Sequence, residues 1–348
     1  MSTFAISIIA KYVPARNTGE RPHFTPLANS VRINPMSNPQ DITVLFLEHT
    51  KRAPQRNVSL RPYSNFRIGG KADFFLEVSS IPDLKAAISL ARRAALPFCV
   101  IGGGDNLLFD DEGYRGLIIK NEARGIEPCG EGEIAAVSGN PLSELVQSAV
   151  DRGIEGFEFL AGIPGTVGGA VSGNAGAFGR SIGDTVVAAE LLDEAGLAQQ
   201  VTRHDLEFGY RHSLFKKKRA VLLTARFLGQ AGDKEKIKNK IAQNLESRKS
   251  KHPPENISCA GSYFKNPMLP DGTKIAAGFL LEQVGAKDLR VGDAAVYAGH
   301  ANFIINLGNA SAREVRFLAR ELKERVRAKF GLELEEEVIY LPATSSKL

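Results

Sequence analysis

The chain has 348 residues, 43% of them hydrophobic and 24% charged, with 34 glycines and a formal net charge of +5. That length suits two domains with buried cores and excludes fibrous and wholly disordered proteins. Nucleic-acid binding is not indicated either: residues 1–56 hold seven basic against three acidic side chains, and the body is nearly neutral.

Residues 1–56 are rich in Pro, Asn and Arg and weakly periodic, which predicts a poorly ordered basic extension with Met36 as an alternative start. From residue 63 strands and helices intermix. Phe74 to Val78 is β-leaning, and Ser80 and Pro82 open a helix whose apolar stripe is Leu84, Ala87, Ile88 and Ala91. Phe98 to Ile101 is a short strand running into Gly102-Gly103-Gly104; Leu117 to Ile119 and Ile134 to Val137 are further strands. Asn140 caps and Pro141 begins a helix that Gly153 ends. Val186 to Leu192 and Ala198 to Val201 form a hairpin, and Ala220 to Phe227 completes this half. After a boundary at Gly229 to Asp233, Asp233 caps a helix carrying Ile237, Ile241 and Leu245. Ser311 and Glu314 form the capping box of the last long helix, with Val315, Leu318, Leu322 and Val326 as its stripe and Gly331 as its stop. The fold class is therefore α+β, in two domains.

Cys99, Cys129 and Cys259 are too far apart for a CxxC pair or a disulfide framework, which points to a reducing compartment, the cytosol. No metal site is expected. No apolar run has the length of a membrane span, and Phe4 to Ala10 lacks the preceding basic residue of a signal peptide. The terminal Ser346-Lys347-Leu348 matches a peroxisomal address but is read as chance. Lys216-Lys217-Lys218-Arg219 reads as a solvated loop or strand edge.

Two glycine clusters carry the chemical signal. Gly102-Gly103-Gly104-Asp105-Asn106 follows a strand, but Leu107 stands where a dinucleotide fingerprint needs glycine, so alone it is weak. Residues 162–179 then hold seven glycines, a density that close helix packing explains poorly and close backbone approach to a ligand explains well. Pro164, read as a helix start, would aim free N–H groups at an anion.

Taken with Phe66-Arg67-Ile68-Gly69-Gly70-Lys71-Ala72, Gly209-Tyr210-Arg211-His212-Ser213, Gly261 to Pro267 and Ala301 to Asn306, these clusters make residues 57–343 resemble the UDP-N-acetylenolpyruvoylglucosamine reductase (MurB) family. The resemblance implies a two-lobed FAD-binding domain of the vanillyl-alcohol-oxidase (PCMH) type over residues 57–231 and a smaller α+β substrate-binding domain over 232–348. It implies FAD held by Gly102, Gly103, Gly104, Asp105, Asn106, Pro164, Gly165, Thr166, Gly169, Asn174 and Gly176. Arg211, Ser262 and Glu337 match the family's catalytic arginine, serine and glutamate, and Tyr210, Lys251 and Asn266 match substrate contacts. The implied reaction uses NADPH to reduce FAD, whose N5 passes hydride to the enolpyruvyl ether of a UDP-sugar while Ser262 supplies the proton. The short step from Arg211 to Ser262 resembles the type II form, which lacks the tyrosine loop.

Asp105 departs from the family, standing where similar enzymes usually have serine; a carboxylate there is repelled by a diphosphate unless it points away or binds a cation. Phe279 for tryptophan and Gly299-His300 for lysine-histidine are the other departures. A cytosolic monomer serving peptidoglycan synthesis, without nucleic-acid or membrane partners, is expected. The alternatives are a sugar or lactone oxidase of the same fold, although no histidine lies in either glycine cluster to tether a flavin, and a non-catalytic wall-synthesis scaffold.

Overall fold

A computed structural model of the protein describes residues 39–50, 52–269 and 271–344; Met36 and the Ser-Lys-Leu ending lie outside them. Helix α1 (Pro39–Thr50), strands β1 (Gln55–Ser59) and β2 (Lys71–Val78), helix α2 (Ile81–Arg93), and strands β3 (Phe98–Ile101), β4 (Leu107–Phe109) and β5 (Tyr114–Asn121) build the first lobe. Its sheet runs β1-β2-β5-β3, with β2, β5 and β3 parallel and β1 antiparallel at the edge. Leu117, Ile118 and Ile119 are fully buried in the centre, the continuous apolar run that a parallel strand covered on both faces requires. Ser80 caps α2 by accepting from the Asp83 N–H at 3.2 Å, and Leu84, Ala87, Ile88 and Ala91 face the sheet.

The expectation of a poorly ordered segment through residue 56 is corrected here. Ile42, Leu45 and Phe46 lie one helical turn apart and are buried against α2 and the first sheet. Burying that stripe offsets the entropy of ordering α1, a contribution the surrounding Pro, Asn and Arg content obscured.

The second lobe holds β6 (Ile126–Gly130), β7 (Glu133–Val137), α3 (Leu142–Arg152), α4 (Val167–Gly173), β8 (Val186–Leu192), β9 (Ala198–Thr202), β10 (Val221–Leu228) and α5 (Lys234–Lys249). Its antiparallel sheet runs β9-β8-β10-β7-β6. Pro141, not Asn140, is the cap of α3. The Asn140 side chain is used elsewhere, accepting from Gly125 N–H at 2.8 Å and donating to Glu144 at 2.6 Å. A domain boundary after residue 231 does not match the packing of α5. Ile237 is buried, Ile241 packs on the second-lobe core, and Asn244 donates to the Glu158 carbonyl at 2.8 Å.

The remaining chain forms β11 (Ser258–Cys259), α6 (Ala277–Gln283), β12 (Arg290–Val291), β13 (Ala294–Val296), β14 (Ile304–Asn306), α7 (Ala312–Phe330) and β15 (Ile339–Leu341). The sheet β11-β14-β13-β12 shares a core with α6 and α7 that also takes in Phe66, Ile68 and Leu108 of the first lobe. The capping box at Ser311 and Glu314 starts α7, and Gly331 ends it at φ +68°. Strand β15 then returns to pair in parallel with β4. No helix among the described residues is long and apolar enough to cross a membrane.

Candidate active site

The two glycine clusters meet. A Cβ at Gly102 would collide with Thr166 Oγ1, and one at Gly103 would collide with Asp105 and lie 3.3 Å from the Gly165 Cα. At Gly104 a Cβ would run into the Tyr63 carbonyl, so close packing leaves no room for a side chain at any of these three positions. Pro164 does not start a helix: Thr166 is the cap of α4, its Oγ1 accepting from Gly169 N–H at 3.2 Å. The cradle is therefore made of two loops, with the cap side chain between them. Gly176 serves a different purpose, a tight pairing in which a Cβ would strike the Arg180 carbonyl.

From this cradle hydrogen bonds lead to the candidate catalytic residues. Asn106 donates through Nδ2 to the Glu337 carbonyl at 3.0 Å and accepts from Ile339 N–H at 3.0 Å. Asn174, the left-handed cap of α4, donates to the Gly209 carbonyl at 2.7 Å, and Ser213 Oγ donates to the Ser172 carbonyl at 2.6 Å. These bonds anchor the turn in which Gly209 and His212 exchange backbone hydrogen bonds of 3.0 and 3.1 Å. Arg211 sits inside that turn at φ +51°, a left-handed conformation that disfavours residues with a side chain.

Arg211 reaches Glu337, with Nε 2.5 Å from Oε1 and both side chains less than a quarter exposed. The Nε atom is buried against that oxygen, so the contact is a close ion pair shielded from solvent. Burial pushes the Glu337 carboxyl above its ordinary range, opposed first by Arg211 and then by Lys265 and Lys216.

The segment that follows Ser262 is joined to the Glu337 main chain by a short ladder. Glu337 N–H donates to the Tyr263 carbonyl at 2.8 Å, and Lys265 N–H donates to the Glu335 carbonyl at 2.8 Å. Asn302 clamps the other side: its carbonyl accepts from Tyr263 N–H at 2.8 Å, while its amide exchanges bonds of 3.0 and 2.9 Å with the Phe264 main chain. Ser262 is half-buried next to this doubly held pair. Tyr210 and Asn266 also meet, Asn266 N–H donating to the Tyr210 hydroxyl at 3.1 Å, and the Lys274 ammonium lies 3.6 Å from the centre of the Tyr210 ring. Lys251 is not brought to Arg211. It is exposed beyond the end of α5, on the side of His252 and His300.

Three cations escaped the sequence reading. Lys216 is not part of a wholly solvated run: it is half-buried, and burial and Lys265 push its ammonium below the ordinary range while Glu337 and Glu335 oppose them. Lys265 is paired with Glu335. Arg248 is pushed down by burial and by the positive charge of Arg211, so two guanidinium groups lie near each other. Only the packing of separate segments could reveal these neighbours. His300 has a structural task, its Nδ1 accepting from Asn302 N–H at 3.1 Å.

Two glycine loops joined by hydrogen bonds to a buried arginine–glutamate pair are the arrangement of a dinucleotide-dependent enzyme. Residues 72–202 match the FAD binding domain, and residues 252–341 match the C-terminal domain of UDP-N-acetylenolpyruvoylglucosamine reductase. The reductase of Protochlamydia amoebophila is 38% identical over 288 residues, covering 83% of this chain and 94% of its own length. That of Solibacter usitatus is 39% identical over 306 residues, covering 83% and 97% respectively. The crystal structure of the Thermus caldophilus enzyme superposes with a TM-score of 0.70 at 34% identity, covering 83% of this chain and 99% of that one. The chain belongs to the UDP-N-acetylenolpyruvoylglucosamine reductase family.

Proposed function

We propose that the chain reduces the enolpyruvyl ether of UDP-N-acetylglucosamine to UDP-N-acetylmuramate, a peptidoglycan precursor, using NADPH and FAD in the cytoplasm. The observation that carries this reading is the Arg211–Glu337 pair, tied by Asn106 to the glycine cradle and by a main-chain bond to Tyr263, the residue after Ser262. The residues present fit a flavin dinucleotide, because Gly102, Gly103 and Gly104 bring main chain close to Gly165 and Thr166, as a backbone N–H cradle for a diphosphate requires. Bound FAD would supply the hydride, and Asn106, Thr166, Gly169 and Asn174 would hold or brace its site.

The chain's own residues account for the rest. Arg211 offers the outer N–H groups of its planar guanidinium to the substrate carboxylate, and it holds negative charge there as the double bond is reduced. An incoming carboxylate adds like charge beside Glu337, whose carboxyl burial already pushes upward, so Glu337 takes a proton and donates a hydrogen bond to the substrate. The Ser262 hydroxyl is a weak acid, but the enol-like carbon formed next to that carboxylate is basic enough to take its proton. Tyr210, Asn266 and Lys251 would bind the UDP-sugar. Their spread from the ladder to the end of α5 suits a long substrate.

Purified protein should be yellow and should oxidise NADPH only when enolpyruvyl-UDP-N-acetylglucosamine is added. Oxygen consumption driven by a sugar or lactone without NADPH would support an oxidase of the same fold, and absence of turnover would support a scaffold.

A further inference from the structure

One acidic side chain stands between the two glycine loops. Asp105 Oδ1 accepts from Asn65 Nδ2 at 2.8 Å, while Oδ2 fills the space that a Cβ on Gly103 would need and lies 3.1 Å from that of Gly165. The carboxyl thus bridges the loops near their closest approach. Few groups face it. Asn65 is neutral, the walls are the main chain of Gly103 and Gly165, and the cation acting on it is Lys120 of β5, whose ammonium is already 2.5 Å from Glu122.

We infer that Asp105 controls access to the flavin site through its proton: the neutral carboxyl admits a diphosphate between the loops, and the carboxylate repels it. This rests on the reading of the two loops as the diphosphate cradle. A charged carboxylate held between the loops repels a diphosphate placed beside it, and taking up a proton removes that cost. Burial pushes the Asp105 carboxyl above its ordinary range even before a ligand arrives, with Asn65 and Lys120 opposing. A diphosphate adds to the upward push. FAD binding therefore takes up about one proton wherever Asp105 is ionised in the flavin-free protein, and affinity there falls about tenfold per pH unit.

The test uses the full chain stripped of flavin. FAD binding is measured by calorimetry from mildly acidic to mildly alkaline pH, in buffers of different ionisation enthalpy, for the wild type, Asp105→Asn, Asp105→Ser and Gly165→Val. The expected result is a wild-type affinity that falls with pH and a matching proton uptake, both absent from Asp105→Asn and Asp105→Ser. Equal pH slopes and equal proton uptake in wild type and Asp105→Asn would overturn the inference. So would a wild-type slope that vanishes on adding Mg²⁺, since the carboxylate would then be a cation ligand. Gly165→Val, checked for folding by circular dichroism and paired with Gly103→Val, separates the two ideas. Unchanged FAD affinity in both folded glycine variants removes the cradle and the inference with it, whereas loss of FAD binding there with equal slopes in the Asp105 series removes only the proton control.

Discussion

Replacing Arg211 by glycine separates the site from the scaffold. The left-handed backbone at φ +51° costs an arginine about 1 kcal/mol, which glycine recovers. Against this, the variant loses the ion pair to Glu337, whose side chains are 23% and 19% exposed. Removing one member of a buried pair costs about 3–5 kcal/mol when the other stays charged and alone. Glu337 is not in that position. Lys265 and Lys216 still face it, and its carboxyl, already raised by burial, can take a proton. The loss shrinks to about 1–2 kcal/mol, and Arg211→Gly is expected to lie within about 1 kcal/mol of the wild type. Activity is expected to fall about 10²–10³-fold, the usual effect of removing a donor aimed at developing charge. Urea unfolding followed by circular dichroism gives the first quantity, and rapid mixing of reduced enzyme with substrate gives the second. Destabilisation beyond about 3 kcal/mol together with a normal reoxidation rate would show that the strained turn serves the fold, and the reasoning would fail.

Other consequences are as specific. Ser262→Ala should keep the rate at which NADPH reduces the flavin and slow substrate-driven reoxidation by about 10²–10⁴-fold; normal reoxidation traces would remove Ser262 as the proton donor. Glu337 has a raised carboxyl pKa, so the folded state binds more protons than the unfolded chain in the window above the ordinary carboxylate range, and its contribution to stability is lost as pH rises through that window. Glu337→Gln should abolish that decline, which thermal unfolding at the two ends of the window can measure; an unchanged pH dependence would contradict the buried, raised carboxyl. Phe46→Ala should destabilise the protein by about 3–5 kcal/mol, because the ring is fully buried between α1 and α2. A loss below about 1 kcal/mol would mean that α1 is not part of the core.

Elements with strong local signals were legible in the sequence. The capping box and stripe of α7, the cap and stripe of α2, and the β8–β9 hairpin all rest on spacing within one segment. Helix α1 was missed because its apolar stripe is short and sits in a Pro-rich and Arg-rich stretch. Pro164 was misread because a proline before a glycine-rich run resembles a helix start, while the cap falls at Thr166. The glycine density pointed to close backbone approach to a ligand, yet nothing local said that the two clusters meet. Glu337 shows the limit most clearly. Three adjacent glutamates cannot be told apart by periodicity, and only contact with Arg211 and with Asn106, which lies 231 residues away, distinguishes one of them. Lys216 was hidden in a basic run for the same reason, since Lys217 and Lys218 beside it are exposed.

The central claim is that Arg211, Ser262 and Glu337 converge on the acid group of an enol ether. A crystal structure of the FAD-loaded chain with enolpyruvyl-UDP-N-acetylglucosamine tests it most directly. The account predicts the substrate carboxylate within hydrogen-bonding distance of both Arg211 and Glu337, with the Ser262 hydroxyl facing the adjoining carbon. A carboxylate bound away from Arg211, or a Ser262 hydroxyl turned from that carbon, would contradict it.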